Sequence, residues 1–163
     1  MNDRVSRPPA EVILIAPRQQ LVATMLHKSI TRIRCFTSTE DFDAWRNGHQ
    51  DGACLERLVD ELEARYRAED RPVPVRLQMT ISWLRRQPSV PTLKALATAT
   101  CSRRSFFRLW SQAMREQPAR FLDHLRALRA EQMLASGFTL QEILRDSGCK
   151  SMRDLRLLLS RWH

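Results

Sequence analysis

Apolar residues recur at helical spacing on both sides of a short polar break near residue 100. The stripe before the break consists of Leu93, Leu96 and Ala97, and the stripe after it of Phe106, Leu109 and Trp110. Steps of three and four residues place such side chains on one face of an α-helix. Ser102 is a suitable cap for the second helix, because its hydroxyl can accept a hydrogen bond from a backbone N–H of the first turn. The pattern predicts a helix-turn-helix unit with its turn at residues 100–102.

The same periodicity continues through the rest of the second half of the chain. It predicts helices over residues 75–86, 118–137, 139–147 and 151–162. Thr139 and Glu142 have the spacing of a capping box, which marks the start of a helix. Pro72 and Pro74 disfavour helix and indicate a linker before this region. We therefore predict a helical domain at residues 72–163.

The first 71 residues have a different pattern, in which β-branched runs alternate with helical ones. Residues 11–16 and 33–36 predict short strands, and residues 19–29 and 39–48 predict helices, so a small α/β module is expected at residues 1–71. This order is similar to the opening of a receiver domain of response regulators. Receivers carry an acidic pair after the first strand to hold a metal ion, whereas this chain has Ala16 and Pro17. This departure argues against phosphoacceptor chemistry, and we expect a truncated or divergent docking module.

A leucine-rich helix is predicted at residues 53–70, between the two regions. Its apolar stripe consists of Leu55, Leu58, Val59, Leu62 and Tyr66. Such a stripe is typical of a connector or a dimerisation surface. The alternative is that the helix packs on its own domain.

Charge is distributed unevenly along the chain. Residues 72–163 hold 16 lysines and arginines against 6 acidic residues, whereas residues 1–71 hold 11 against 12. A basic domain beside a nearly neutral one indicates an anionic partner, and nucleic acid is the commonest. A well-solvated, arginine-rich surface is the alternative interpretation.

Several functional classes lack their sequence signals. The four cysteines and four histidines show no metal-ligand spacing, and no nucleophile–base pair or phosphate-cradling loop is visible. No apolar run has the length of a signal peptide core or a membrane span. We expect a bacterial-type cytoplasmic protein with free cysteines, no cofactor, no membrane association and no enzymatic activity.

Residues 75–163 resemble the DNA-binding domain of the AraC/XylS-type transcription regulators. The first unit matches at Leu96, Ala97, Ser102, Phe106, Arg108, Leu109 and Trp110, followed by Pro118 and Phe121. The long helix matches at Arg126, Ala130 and Leu134, and the second unit at Thr139, Glu142, Ile143 and Gly148. The second unit is divergent, because Cys149, Leu155 and Leu159 stand where the family has phenylalanine. The resemblance implies a mainly α fold in which two helix-turn-helix units are joined by a long helix, preceded here by the small α/β module.

Candidate DNA-binding residues lie in the second helix of each unit. In the first unit they are Arg103, Arg104, Phe107 and Arg108, and in the second Lys150, Ser151, Met152, Arg153 and Arg156. An arginine that donates two hydrogen bonds to guanine is the commonest specific base contact. Phe107 either touches a thymine methyl group or packs against the preceding helix. The second set either reads bases or serves only solvation and phosphate contact.

The sequence therefore predicts a transcription regulator that binds double-stranded DNA and reads the major groove mainly with its first unit. The alternative is a co-regulator that binds RNA polymerase or another regulator and contacts DNA weakly. A homodimer through the 53–70 helix or through the N-terminal module is a further candidate partner.

Overall fold

The structure, a computed structural model, describes residues 12–17, 33–46 and 55–162. Strands β1 (Val12–Ile15) and β2 (Ile33–Phe36) pair in parallel, with Val12 opposite Ile33. The helices of the described ranges are, in chain order, α1 (Thr39–Arg46), α2 (Glu56–Tyr66), α3 (Val75–Arg85), α4 (Leu93–Thr98), α5 (Arg103–Ala113), α6 (Pro118–Ala135), α7 (Leu140–Ser147) and α8 (Met152–Trp162). The prediction of a mainly helical fold is confirmed. The predicted helix at 19–29 lies outside the described residues.

Local capping hydrogen bonds begin α5 and α7 at the predicted residues. Ser102 Oγ accepts a hydrogen bond from the backbone N–H of Ser105 at 3.3 Å, and α5 starts at the next residue. The backbone N–H of Glu142 donates to Thr139 Oγ1 at 3.4 Å, and the Thr139 N–H donates to the Glu142 carboxylate at 2.8 Å. The predicted capping box is therefore confirmed. The Thr139 N–H also lowers the pKa of the Glu142 carboxyl, because it stabilises the charged form.

The larger hydrophobic core joins α2 to the helices that follow it. Its buried members include Leu55 at the N-cap of α2, Leu58, Val59 and Leu62 of α2, Leu77, Ile81 and Leu84 of α3, Leu96 and Ala97 of α4, Phe106 and Trp110 of α5, and Phe121, Leu122 and Leu125 of α6. The backbone adds two links, because the Ala68 N–H donates to the Ala113 carbonyl at 2.9 Å and the Arg115 N–H to the Tyr66 carbonyl at 2.7 Å. The leucine stripe of the 53–70 helix is thus covered within the chain. These buried leucines are not free to contact a second copy of the chain, and the homodimer itself stays a prediction.

A smaller core forms at the other end of α6. It contains Ala130, Met133, Leu134, Leu140, Ile143, Leu155 and Leu159. The strand β2 packs at this end of α6, where the Arg34 guanidinium donates to the Gly137 carbonyl oxygen at 2.8 Å. Gly137 has a φ of +78°, and a Cβ there would lie 2.2 Å from the Phe36 ring. A residue without a side chain is therefore required where the strand meets the end of the long helix.

Truncation of Leu62 tests whether α2 belongs to the larger core. Leu62 is 0% exposed, so Leu62→Ala leaves a cavity, and we expect the free energy of unfolding to fall by about 2–5 kcal/mol. The control Leu157→Ala changes a leucine that is 53% exposed, and we expect a loss below about 0.5 kcal/mol. Urea denaturation followed by circular dichroism measures both. An equally small loss in the two variants would show that α2 contributes nothing to this core.

Candidate nucleic-acid interface

Helix α5 has one buried face and one basic face. Phe106 and Trp110 are buried one turn apart, and the Trp110 indole N–H donates to the Glu116 carbonyl oxygen at 2.7 Å. These contacts fix the rotation of the helix about its axis. The side chains of Arg103, Arg104 and Arg108 are exposed as a consequence. The sequence-based prediction of which α5 positions face solvent and which face the core is confirmed at these residues.

The arginines of α5 have no carboxylate partners among the described residues. By contrast, Arg85 on α3 is held by Asp60 at 2.7 Å and by Glu63 at 2.6 Å. The first turn of α5 carries two arginines and no acidic residue. Because the N-terminus of a helix already has positive partial charge, this arrangement is locally unfavourable and raises the positive potential there. An anion placed at this end would relieve the repulsion.

Phe107 is partly buried against the core and partly exposed beside the arginines of α5. Its ring is partly buried and packs edge-on against the Phe106 ring, with the centroids 5.3 Å apart. The Arg103 guanidinium lies over the Phe107 ring, 5.7 Å from its centroid. The ring is therefore fixed against the core on one side. Its exposed remainder lies within the basic face of α5.

The candidate residues of the second helix pair, α7 and α8 with the turn between them, divide into two groups. Lys150 and Arg153 are exposed, and no salt bridge involves either of them in the part of the chain that the structure describes. Ser151 instead caps α8, because its hydroxyl accepts from the Asp154 backbone N–H at 3.1 Å. Met152 packs against the smaller core, and Arg156 is partly buried. The second pair therefore presents a smaller basic surface than α5.

The two helix pairs meet at a junction between the segment before α4 and the turn before α8. The Val90 N–H donates to the Asp146 carbonyl oxygen at 2.9 Å, and the Arg126 guanidinium donates to the Pro91 carbonyl oxygen at 3.2 Å. Gly148 has a φ of +74°, and a Cβ added there would lie 2.6 Å from the Val90 carbonyl oxygen. These contacts fix the position of one pair relative to the other.

A stack of aromatic rings holds the end of α8 against α6. The Trp162 and His124 rings lie parallel with centroids 4.0 Å apart, and the Tyr66 hydroxyl is 2.9 Å from His124 Nδ1. The Arg120 guanidinium lies 5.7 Å from the Trp162 ring centroid on the same stack. The sequence offered no signal for this cluster, because its members lie on α2, α6 and α8. The residue types of these side chains do not show by themselves that the side chains are in contact.

The environment of His124 favours its neutral form. Burial lowers the pKa of this histidine from its ordinary value, and the positive charge of Arg65 lowers it further. Glu131 and Glu61 act in the opposite direction without reversing the shift. A neutral imidazole can stack closely on the indole ring of Trp162 without the cost of burying a charge.

Comparison with known proteins gives no match: no protein-family model, characterised protein or solved structure matches the chain. Within the described ranges, no group of His, Cys, Asp or Glu side chains is placed to hold a metal ion. None of the described helices combines the length and the apolar character needed to cross a bilayer. Cys101 and Cys149 have free thiols, and burial raises the pKa of Cys149. The basic face of α5 is thus the described feature that most directly indicates a ligand.

Two substitutions at Gly148 separate backbone strain from close packing at the junction. Gly148→Ala introduces both a positive φ at a non-glycine residue and a contact with Val90, and we expect a loss of about 1–3 kcal/mol in unfolding free energy. Asparagine tolerates positive φ but still carries a Cβ. We therefore expect Gly148→Asn to lose nearly as much in chemical denaturation. Recovery of wild-type stability by asparagine would show that the approach of Val90 is unimportant.

The depressed pKa of His124 predicts a loss of stability in mild acid. The unfolded chain binds this proton near pH 6.5, whereas the folded protein binds it only at lower pH. The free energy of unfolding therefore falls as the pH drops through 6.5 towards the folded-state pKa. Denaturation at pH 7.5 and 5.5 measures the difference, and we expect it to be smaller in His124→Gln. An unchanged pH dependence in that variant would assign the effect to other groups.

Proposed function

We propose that the protein is a sequence-specific DNA-binding regulator of transcription, in which α4 and α5 act as a helix-turn-helix unit and α5 enters the major groove. The observation that carries the proposal is the exposed face of α5, where Arg103, Arg104 and Arg108 lack carboxylate partners among the described residues. A cluster of unpaired arginines attracts a polyanion, and duplex DNA has one negative charge per about 1.7 Å of its axis. The excess of positive charge in residues 72–163 acts in the same direction.

The dimensions of α5 suit this role. The helix has 11 residues and is therefore about 16 Å long, and the major groove, about 12 Å wide, admits an α-helix. Arg104 and Arg108 lie one turn apart on the same face, which separates them by about 6 Å along the axis. Each can donate two hydrogen bonds to a guanine. The exposed part of Phe107 lies beside Arg103 on the same basic face and can contact a thymine methyl group.

In this proposal α7 and α8 act as a second helix-turn-helix unit that positions the protein on the duplex. Lys150 and Arg153 supply exposed positive charge for phosphate contacts, which hold the protein in register without reading sequence. Ser151 and Met152 serve the cap and the core of this unit, so they add little to base recognition.

Removal of one arginine from α5 tests the proposal. A duplex site is first selected from random sequences, and its affinity is then measured by fluorescence anisotropy at several salt concentrations. We expect Arg104→Ala and Arg108→Ala each to lose about 1–3 kcal/mol of binding to the selected site and to relax the preference at one base pair. The matched control is Arg57→Ala, which removes the same charge from an exposed position on α2.

The control should bind the selected site almost as tightly as the wild type, and the affinity should decrease steeply with salt in every variant. If no site is enriched over random duplex, or if Arg57→Ala loses as much as Arg104→Ala, the protein does not read sequence through α5.

A further inference from the structure

Helix α3 carries an apolar stripe that the core does not use. Val75 is 70% exposed and Met79 is 54% exposed, and the partly buried Trp83 continues the same line. The stripe borders a groove of about 320 Å³ whose lining also includes Arg86 and Thr100. The opposite face of α3 is already buried in the larger core through residues such as Leu77 and Ile81. Exposed apolar side chains grouped in this way mark an interaction site more often than isolated ones do.

The shape of the stripe fits a helix. Val75, Met79 and Trp83 follow one another at intervals of one turn, so the stripe extends about 12 Å along α3. An amphipathic helix presents apolar side chains at the same repeat and over the same length. Tryptophan and methionine are also common where such a helix packs, since they offer a large or adaptable contact surface.

The positive charge around the groove indicates that a partner helix would be acidic. Arg76 and Arg86 are exposed beside the stripe, and neither forms a salt bridge within the described ranges. The described groove lining contains no acidic residue. The carboxylates of Asp60 and Glu63 on the neighbouring helix α2 are already bound by Arg85. We propose that this groove binds an acidic amphipathic helix of another protein.

Other occupants fit these observations less well. A symmetric dimer through the groove would bring the same surface of two copies together, and Arg76 and Arg86 would then face like charges. A nucleic-acid backbone would satisfy the two arginines but would leave Val75 and Met79 against phosphates. Only a partner with both carboxylates and an apolar face complements both parts of the surface. The inference does not depend on DNA binding by α5.

Synthetic peptides test the proposal on the full chain. The first probe is a helical peptide of leucine and glutamate in which the leucines form one face. The second has the same composition in scrambled order, and the third replaces glutamate with lysine. We expect isothermal titration calorimetry to show that the first peptide binds about tenfold or more tightly than the other two.

Two variants of the groove and one matched control locate the binding site. Met79→Ser and Arg86→Gln should each weaken binding of the first peptide by about tenfold or more. The control Leu157→Ser changes a leucine on α8 that is as exposed as Met79, at 53% against 54%, and it should leave the affinity unchanged. Met79, Arg86 and Leu157 are all at the surface, so circular dichroism should show that the three variants keep the fold and stability of the wild type.

The proposal is overturned if the ordered acidic peptide binds no better than the scrambled one, or if Leu157→Ser weakens it as much as Met79→Ser. It is also overturned if sedimentation shows a dimer that Met79→Ser dissociates, which would assign the groove to a second copy. A loss of DNA affinity in Met79→Ser without any peptide binding would assign the groove to nucleic acid.

Discussion

Both hydrophobic cores of the described residues are built on the same helix, α6, which is covered on most of its circumference. Its first half supplies Phe121 and Leu122 to the larger core, and its second half supplies Met133 and Leu134 to the smaller one. Because a single continuous helix is shared, displacement of either core would disturb the other. The position of the α4–α5 pair relative to the α7–α8 pair is thus set by burial on α6, and the hydrogen bonds of the Val90–Gly148 junction refine it.

Among the described residues, some arginines around this framework are neutralised by carboxylates, and others are not. Two partly buried arginines have carboxylate partners, Arg85 in Asp60 at 2.7 Å and Arg126 in Asp123 at 2.8 Å. Such pairs contribute little to stability because both charges are partly solvated. The arginines of α5 differ, because the packing of Phe106 against the core orients them toward solvent. Helix α5 also contains no acidic residue that could pair with them. The described surface therefore offers an anionic partner a concentrated positive region on α5.

Several features were predictable from the sequence because they depend on local physics. A hydroxyl before a helical run marks a helix start, and at Thr139 an acid three residues later adds a second signal, so the caps at Ser102 and Thr139 were found at the right residues. Apolar periodicity likewise identified the buried faces of α5 and α6. It did not distinguish a free stripe on α2 from a covered one, because periodicity shows that a face is apolar without showing what packs on it. The docking of α2 on the following helices answered that question.

The sequence by itself determined which segments are helical, where the capped helices α5 and α7 begin, which faces are apolar and where positive charge accumulates. Each of these depends on neighbours within about four residues. The tertiary structure decided what meets across long separations: the stack of Trp162 on His124, the approach of Gly148 to Val90 and the exposure of Met79 on a helix whose other side is buried. These contacts depend on how helices pack, and packing geometry is a property of the whole core rather than of any one segment.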